Sequence, residues 1–232
     1  MTRMTKARIA GFTFLFYIAV AFPSIVLMNR ATSADGTAAQ LALIAEHASD
    51  VRVSILLTLL SCFSAIVLGV TLYGITREVD HELAMLTMAC RVGEGVLGAI
   101  GIPKSFGLLW LATAGAGPGA PDAATANALG AFLLMPGPSV STGAIFFAVG
   151  STLFSYLMLR GRMIPVALAW LGVLASVLLV VGLPLQLAGF LKGPVAGYLW
   201  MPALVFELAL GPWLLIKGVA TAGGGLPLKA MK

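Results

Sequence analysis

The chain has 232 residues, of which 59% are hydrophobic and only 10% are charged, and its net charge is +5. Soluble domains carry about a quarter charged residues, so this composition excludes an ordinary water-soluble protein. It also excludes a disordered chain, which needs low hydrophobicity, and a disulfide-stabilised scaffold, because two cysteines do not make a framework. The composition therefore predicts an integral membrane protein.

Six segments are long and apolar enough to cross a bilayer as helices, because each crossing needs about 20 mostly apolar residues. The sequence thus predicts an all-α, polytopic membrane protein that forms a single domain over residues 1–232. The first segment follows Arg3, Lys6 and Arg8 and has no small-x-small cleavage site, so we interpret it as a retained span. The predicted spans cover about 8–28, 52–75, 84–110, 142–160, 164–190 and 197–217.

The positions of lysine and arginine predict the orientation, because short loops rich in these residues stay in the cytoplasm. With both termini cytoplasmic, nine of the 14 fall on the inner side, four fall on the outer side, and Arg91 lies inside a span. The positive residues form no basic patch, so nucleic acid is not an expected partner. The outer positions are Arg30, Arg52, Lys104 and Lys192; the inner positions are Arg3, Lys6, Arg8, Arg77, Arg160, Arg162, Lys217, Lys229 and Lys232.

Two predicted outer loops, 29–51 and 112–140, are long enough to hold structure of their own. In the first, Leu41, Ile44, Ala45 and Ala48 share one helical face, which predicts a short helix. This helix either lies along the membrane interface or packs on the bundle. The second loop is rich in Gly and Pro and then carries an apolar run, 128–135, which is too short to span. We favour a cap on the bundle over a re-entrant segment, because a lipid-exposed helix break leaves backbone groups unpaired.

Charged residues lie well away from the ends of two predicted spans: Arg91 and Glu94 in the third, and Glu207 in the sixth. Arg91 and Glu94 are three residues apart, so they share a helix face and can pair. At about 1.5 Å per residue, Glu94 and Glu207 reach similar depths near the middle of the bilayer. An ionisable group at that depth costs a few kcal/mol, so each should face a partner or a wet cavity. We therefore expect these three residues to form one buried cluster, and we interpret it as a binding or proton site.

The charges of this cluster do not balance, since two carboxylates and one guanidinium leave one excess negative charge in a medium that disfavours it. We expect one glutamate to hold a proton, or a cation to bind beside it. Glu207 is the favoured protonated group, because Arg91 is placed to keep Glu94 ionised. The alternative is a purely structural cluster that fixes the register of the helices.

Prolines fall within four of the predicted spans. A proline inside a helix leaves the carbonyl four residues earlier without its donor, so helix breaks are predicted at Pro23, Pro103, Pro184 and Pro212. Pro212 would free a carbonyl next to Glu207. Broken helices beside buried acids are typical of the substrate sites of transporters.

Metal and cofactor sites are not expected from the sequence. The two histidines, His47 and His81, lie near carboxylates in the predicted loops. Neither has the paired His or Cys spacing of a dedicated zinc site. We interpret both groups as solvated loop charge.

The combination of Arg91-x-x-Glu94 in the third span with Glu207-Leu-x-x-Gly-x-Trp213-Leu-Leu-Ile-Lys217-Gly218 in the last resembles a bacterial membrane-protein family known as domain of unknown function 4386. The resemblance covers most of the chain, including the Ala45-Glu-His segment before the second span. It implies a six-helix protein of the bacterial inner membrane and brings no assigned reaction.

Three functional interpretations follow from these observations. A small transporter or ligand-binding membrane protein would bind an ion, a proton or a small molecule at the Arg/Glu cluster. An intramembrane enzyme acting on a lipid would have to use the same two glutamates as its acid and base. A non-catalytic assembly component would bind membrane lipids, another helical protein or a second copy, with a homodimer predicted through Gly95, Gly98 and Gly101.

Overall fold

The protein is all-helical over the residues described by a computed structural model, which are 1–115, 119–135, 141–191 and 193–220. These ranges contain ten helices and no strand. The predicted all-α fold is therefore confirmed for this part of the chain. The helices are α1 Arg3–Ala31, α2 Thr37–Glu46, α3 Ala48–Thr76, α4 His81–Ala99, α5 Gly101–Thr113, α6 Ala123–Leu134, α7 Thr142–Arg160, α8 Val166–Leu187, α9 Pro194–Tyr198 and α10 Met201–Ile216.

Six helical segments are long and apolar enough to cross a membrane, as the sequence predicts. Four of them are the single helices α1, α3, α7 and α8. The third span, His81–Thr113, consists of α4 and α5, and the last, Val195–Ile216, consists of most of α9 followed by α10. Each span packs on two others, in the order α1, α3, α4, α7, α8, α10 and back to α1. The six spans thus form a closed ring in which the first contacts the last.

Both described chain ends lie at the same end of this ring, which we call the terminal end. There Arg3 on α1 pairs with Glu78 at 3.4 Å, and Arg160 at the end of α7 pairs with Asp80 at 2.9 Å. At the other end of the chain, Ala220 donates its N–H to the turn between α7 and α8. The opposite end of the ring, which carries α2, α6 and α9, is the loop end.

The half of the ring toward the terminal end is filled by apolar side chains. Phe14, Leu68, Phe154 and Leu210 come from four different spans and are each 0% exposed. The spans also approach closely there, because a Cβ added at Gly11 would lie 2.5 Å from backbone atoms of α10. Spans in a membrane associate through close van der Waals packing of this kind, and close-packed interiors tolerate little added volume.

The loop helices pack on the bundle. Ile44 of α2 is 1% exposed and belongs to a cluster with Ala31, Val51 and Leu108. This favours the packed position for the predicted loop helix over a separate position along the interface. Helix α6 contains most of the predicted apolar run and contacts α2 and α5, as a cap would. Residues 116–118 and 136–140 of the predicted second loop, and Lys192, Lys229 and Lys232 of the charge count, lie outside the described residues.

The proline prediction needs correction. The helices continue through Pro23, Pro184 and Pro212, so the predicted breaks at these positions are wrong. A proline removes a single backbone donor, and the packing of a membrane bundle can tolerate this loss inside a long helix. The third span is interrupted at Ile100, between α4 and α5, next to the Ala99 carbonyl to which Pro103 has no N–H to donate. Pro103 lies in the first turn of α5, where the missing N–H costs no intrahelical bond.

Candidate functional site

Arg91 lies in the interior of the ring, and none of its side-chain surface is exposed. It shares one face of α4 with Thr87 and Glu94, which are spaced by four and three residues from it and are also buried. Glycines on the two neighbouring spans make room for it. A Cβ added at Gly69 on α3 would lie 3.0 Å from the Arg91 Cβ, and one at Gly150 on α7 would lie 3.7 Å from its Cγ.

The three ionisable residues singled out from the sequence are brought together. Arg91 Nη1 donates to Glu94 Oε2 at 2.9 Å within α4. Arg91 Nη2 lies 3.7 Å from Glu207 Oε1 on α10, an ion-pair distance that is too long for a hydrogen bond. The expected juxtaposition of spans three and six is therefore present, and its role as a binding or proton site stays a prediction.

Two further residues join the cluster that sequence reasoning missed. The Tyr17 hydroxyl of α1 donates to Glu94 Oε1 at 3.0 Å. Arg91 Nη2 donates to Ser151 Oγ of α7 at 3.0 Å. A tyrosine in the middle of an apolar span was the available signal, since its hydroxyl needs a partner when buried. We refer to Arg91, Glu94, Glu207, Tyr17 and Ser151 as the Arg91 cluster, which joins α1, α4, α7 and α10.

Aromatic rings surround the guanidinium on its remaining sides. Its Cζ lies 4.8 Å from the ring centre of Phe147, 5.3 Å from Phe154 and 5.8 Å from Phe14. Rings at these distances attract a cation through their negative faces, most strongly where water is excluded. The Phe147 ring also packs against Trp200, with 5.7 Å between centres, so two aromatic rings separate Arg91 from the start of α10.

The polar groups of the cluster are incompletely satisfied. Arg91 Nε is buried without a hydrogen-bond partner. Within the described residues no hydrogen bond reaches the Glu207 carboxylate. The side chains of Glu94 and Glu207 keep 7% and 9% of their surface exposed, whereas Arg91 keeps none. Both carboxylates are therefore more accessible than the cation between them, and unused lone pairs on Glu207 are available to a proton or a cation.

The carboxylates are the groups best suited to bind a ligand here. Among the described residues, no three His, Cys, Asp or Glu side chains form a group that could hold a metal ion. Two carboxylates with two hydroxyl-bearing neighbours, Tyr17 and Ser151, suit a proton or a weakly held monovalent cation better than a divalent metal, whose sites need more ligands and a fixed geometry.

The glycines proposed for a homodimer have different environments. Gly95 is buried, and a Cβ there would lie 2.6 Å from the carbonyl oxygen of Cys62 on α3. This part of the prediction is wrong, because Gly95 already serves the contact between two spans of the same chain. Gly98 and Gly101 are exposed. The homodimer itself stays a prediction.

The family described as domain of unknown function 4386 matches residues 9–218. The chain belongs to this family. Every member of the Arg91 cluster lies within the matched part of this DUF4386 protein. No curated protein and no solved structure matches the chain. The family resemblance seen in the sequence is therefore confirmed.

Proposed function

We propose that this DUF4386 protein is a small transporter in which Glu94 and Glu207 bind and release a proton or small cation beside Arg91. The observation that supports the proposal is the convergence of carboxylates from two spans on one fully buried guanidinium. Charged groups inside a membrane bundle are costly and typically mark the paths of ions and protons.

The net charge of the cluster explains why it would bind and release a proton or a cation. With both carboxylates ionised, the site holds one excess negative charge in surroundings of low dielectric. Glu94 already accepts hydrogen bonds from Arg91 and Tyr17. Glu207 has only a 3.7 Å ion pair. The site therefore gains most when Glu207 carries the proton or the bound cation, and Glu94 remains ionised.

Loading of Glu207 would change the attraction between spans. Arg91 contacts groups on α1, α7 and α10 as well as on its own helix. A proton on Glu207 removes the charge that draws α10 toward the guanidinium, whereas its loss restores that attraction. A change in one charge thus alters the packing of several spans, which is the coupling that alternating access requires.

The location of the protein is part of the same proposal. The terminal end carries Arg3, Arg77 and Arg160 and both described chain ends. By the distribution of positive residues, this end faces the cytoplasm and the loop end faces outward. The family resemblance supports a multi-pass position in the bacterial inner membrane.

The test is proton flux into vesicles that contain the purified protein. An imposed pH gradient should drive flux through the wild type, and Glu207→Gln should reduce it to the level of empty vesicles, because a glutamine cannot bind and release a proton. The matched control is Glu82→Gln, an exposed glutamate on α4 outside the cluster. It should leave the flux unchanged.

Two outcomes would contradict this function. Wild-type flux that equals that of empty vesicles would remove the evidence for proton movement. A Glu207→Gln protein that is misassembled, while Glu82→Gln is normal, would favour the structural alternative, in which the cluster only holds the helices in register.

A further inference from the structure

A groove of about 270 Å³ lies between α3 and α5 in the loop half of the ring, outside the Arg91 cluster. Leu56 on one wall and Phe106 on the other keep 55% and 53% of their surface exposed, so the groove opens to the surroundings of the bundle. In a membrane those surroundings are lipid. We call it the α3–α5 groove. Its lining residues are Arg52, Ile55, Leu56 and Leu59 of α3 and Ile102 and Phe106 of α5.

The groove has one charged end and one apolar end. Helix α3 starts at the loop end of the ring, so Arg52 lies nearest that end. Leu56 and Leu59 follow four and seven residues later, on the same face and about 6 and 10 Å deeper in the membrane. Helix α5 runs the opposite way, which places Phe106 nearer the loop end than Ile102. A guanidinium therefore stands at the mouth of the groove, and apolar side chains line it below.

Arg52 has no acidic partner among the described residues. Its side chain is exposed, and none of the ion pairs in this part of the chain includes it. Asp50, two residues before it, lies 3.7 Å from His47 instead. A guanidinium near a membrane surface binds phosphate oxygens well, because its planar N–H groups can donate two parallel hydrogen bonds.

We infer that the α3–α5 groove binds one anionic phospholipid, with its phosphate on Arg52 and part of an acyl chain along the apolar side chains below. Charge complementarity favours this occupant, because a phosphate without a headgroup amine carries one negative charge and Arg52 supplies one positive charge. A zwitterionic headgroup brings its own cation. A soluble phosphate compound would leave the apolar walls without a partner.

The size of the groove agrees with a segment of one chain. Its volume is just below the range of about 300–1,000 Å³ that is typical of pockets for drug-sized ligands. Basic positions between membrane spans are known to bind anionic headgroups, and exposed apolar surface beside them adds the contact with the chain. Binding at this groove does not depend on the proposed transport function.

The experiment counts the lipids bound to the purified full-length protein by native mass spectrometry in detergent. Dioleoyl phosphatidylglycerol and dioleoyl phosphatidylcholine are titrated separately, because they have the same chains and differ in headgroup charge. Glycerol 3-phosphate is the third ligand and offers a phosphate without chains. We expect one phosphatidylglycerol to bind at a lower concentration than phosphatidylcholine does, and glycerol 3-phosphate not to bind in the same concentration range.

Two arginine variants test the headgroup contact. Arg52→Gln should raise the phosphatidylglycerol concentration at half-saturation about tenfold, the effect of losing one charge-assisted hydrogen bond, and should remove the preference over phosphatidylcholine. Arg30→Gln is the matched control, since Arg30 is also an exposed arginine near the loop end but does not line the groove. It should keep the wild-type half-saturation.

Two tryptophan variants test the chain contact. Leu59→Trp should fill the deeper part of the groove and weaken the binding of both lipids. Val67→Trp is its control, because Leu59 and Val67 both belong to α3 and are both 39% exposed, but Val67 does not line the groove. It should bind both lipids as the wild type does.

Several results would overturn the lipid site. Equal binding of the two lipids to the wild type, or equal weakening in Arg30→Gln and Arg52→Gln, would show attraction to a basic protein without a defined site. Glycerol 3-phosphate that binds as tightly as phosphatidylglycerol would show a phosphate site that needs no chain. A dimer that is lost in Leu59→Trp and kept in Val67→Trp would show that a second copy covers the groove.

Failure of this inference is distinguishable from failure of the transport proposal. Glu207→Gln should lose proton flux and bind phosphatidylglycerol as the wild type does, because Glu207 lies outside the groove. Wild-type vesicles without proton flux would contradict transport and leave the lipid measurement unaffected.

Discussion

The two halves of the ring differ in what fills them. Toward the terminal end, apolar side chains from opposite spans meet, and ion pairs join the turns at the edge. Toward the loop end, the third and sixth spans are discontinuous, and a groove lined by hydroxyls lies between α1, α3 and α5. The Arg91 cluster lies between the two. The terminal half is thus closed by apolar packing alone, whereas the loop half contains an open groove beside its own apolar clusters.

The largest loss of stability is expected from a substitution in the Arg91 cluster, which lies between the two halves. Arg91→Met leaves two buried carboxylates without a counter-charge, which should destabilise the protein by about 3–5 kcal/mol. Yield and Tm of the purified variant would measure the loss.

A charge-neutral combination is the control for this prediction. Adding Glu94→Gln and Glu207→Gln to Arg91→Met removes all three charges, and should recover much of the lost Tm because uncharged side chains of similar volume can replace a buried ion cluster. A single Arg91→Met variant with the wild-type Tm would show that the cluster is not buried as described.

An intermediate loss of stability is expected when a glycine is replaced by alanine in the terminal half, and no loss is expected for the same substitution in the loop half. In Gly11→Ala the new Cβ would meet the α10 backbone, 2.5 Å from the Gly211 carbonyl oxygen, so overpacking should cost roughly 1–3 kcal/mol. Gly101→Ala is the same substitution in the loop half, where nothing lies within 4 Å of the new Cβ. It should leave Tm unchanged or slightly higher, since alanine favours a helix. Equal losses in both variants would contradict the difference in packing.

The smallest effect concerns pH at the terminal end. The backbone N–H of Leu83 and the guanidinium of Arg160 hold the pKa of Asp80 below its ordinary value. A lowered pKa means that the carboxylate stabilises the fold above its unfolded pKa of about 3.9, and that this contribution is lost as pH falls through the folded value. Tm measured from neutral to acidic pH should therefore fall less steeply in Asp80→Asn than in the wild type.

The loop end offers a comparison for that titration. Asp122 begins α6 and has a lowered pKa because the backbone N–H of Thr125 donates to it. Asp122→Asn should change the acid limb of the Tm curve less than Asp80→Asn, because α6 is a short loop helix and Asp80 also joins two spans through Arg160. A larger change in Asp122→Asn than in Asp80→Asn would show that Asp80 does not contribute to stability at the terminal end as described.

The sequence was sufficient for the features that depend on length and charge. Six spans, the helix after Thr37 and the meeting of Arg91 with Glu94 and Glu207 all follow from hydropathy, helical spacing and the cost of a charge in hydrocarbon. Each of these sequence patterns is strong and local, and each is compatible with few physically acceptable structures.

Features that depend on which faces meet were not accessible in the same way. Ser151 and the three phenylalanines around the guanidinium resemble any other residues of an apolar span until α7 is placed beside α4. Pro103 marks the interruption at Ile100, because it has no N–H to donate to the Ala99 carbonyl, whereas Pro23, Pro184 and Pro212 look the same in the sequence and lie inside continuous helices. Helix packing decides both, and packing is a property of pairs of helices.

The order in which the chain is made gives the Arg91 cluster a place in assembly. Arg91 and Glu94 pair within one helix, so the third span can enter the bilayer as a nearly neutral unit before its neighbours arrive. Glu207 belongs to the sixth span, which is synthesised after Arg91 and Glu94 and closes the ring against α1. Insertion of the sixth span would then close the ring and bring the second carboxylate to the cluster in one event. Until that span is inserted, Arg91 has Glu94 as its one acidic partner in the cluster.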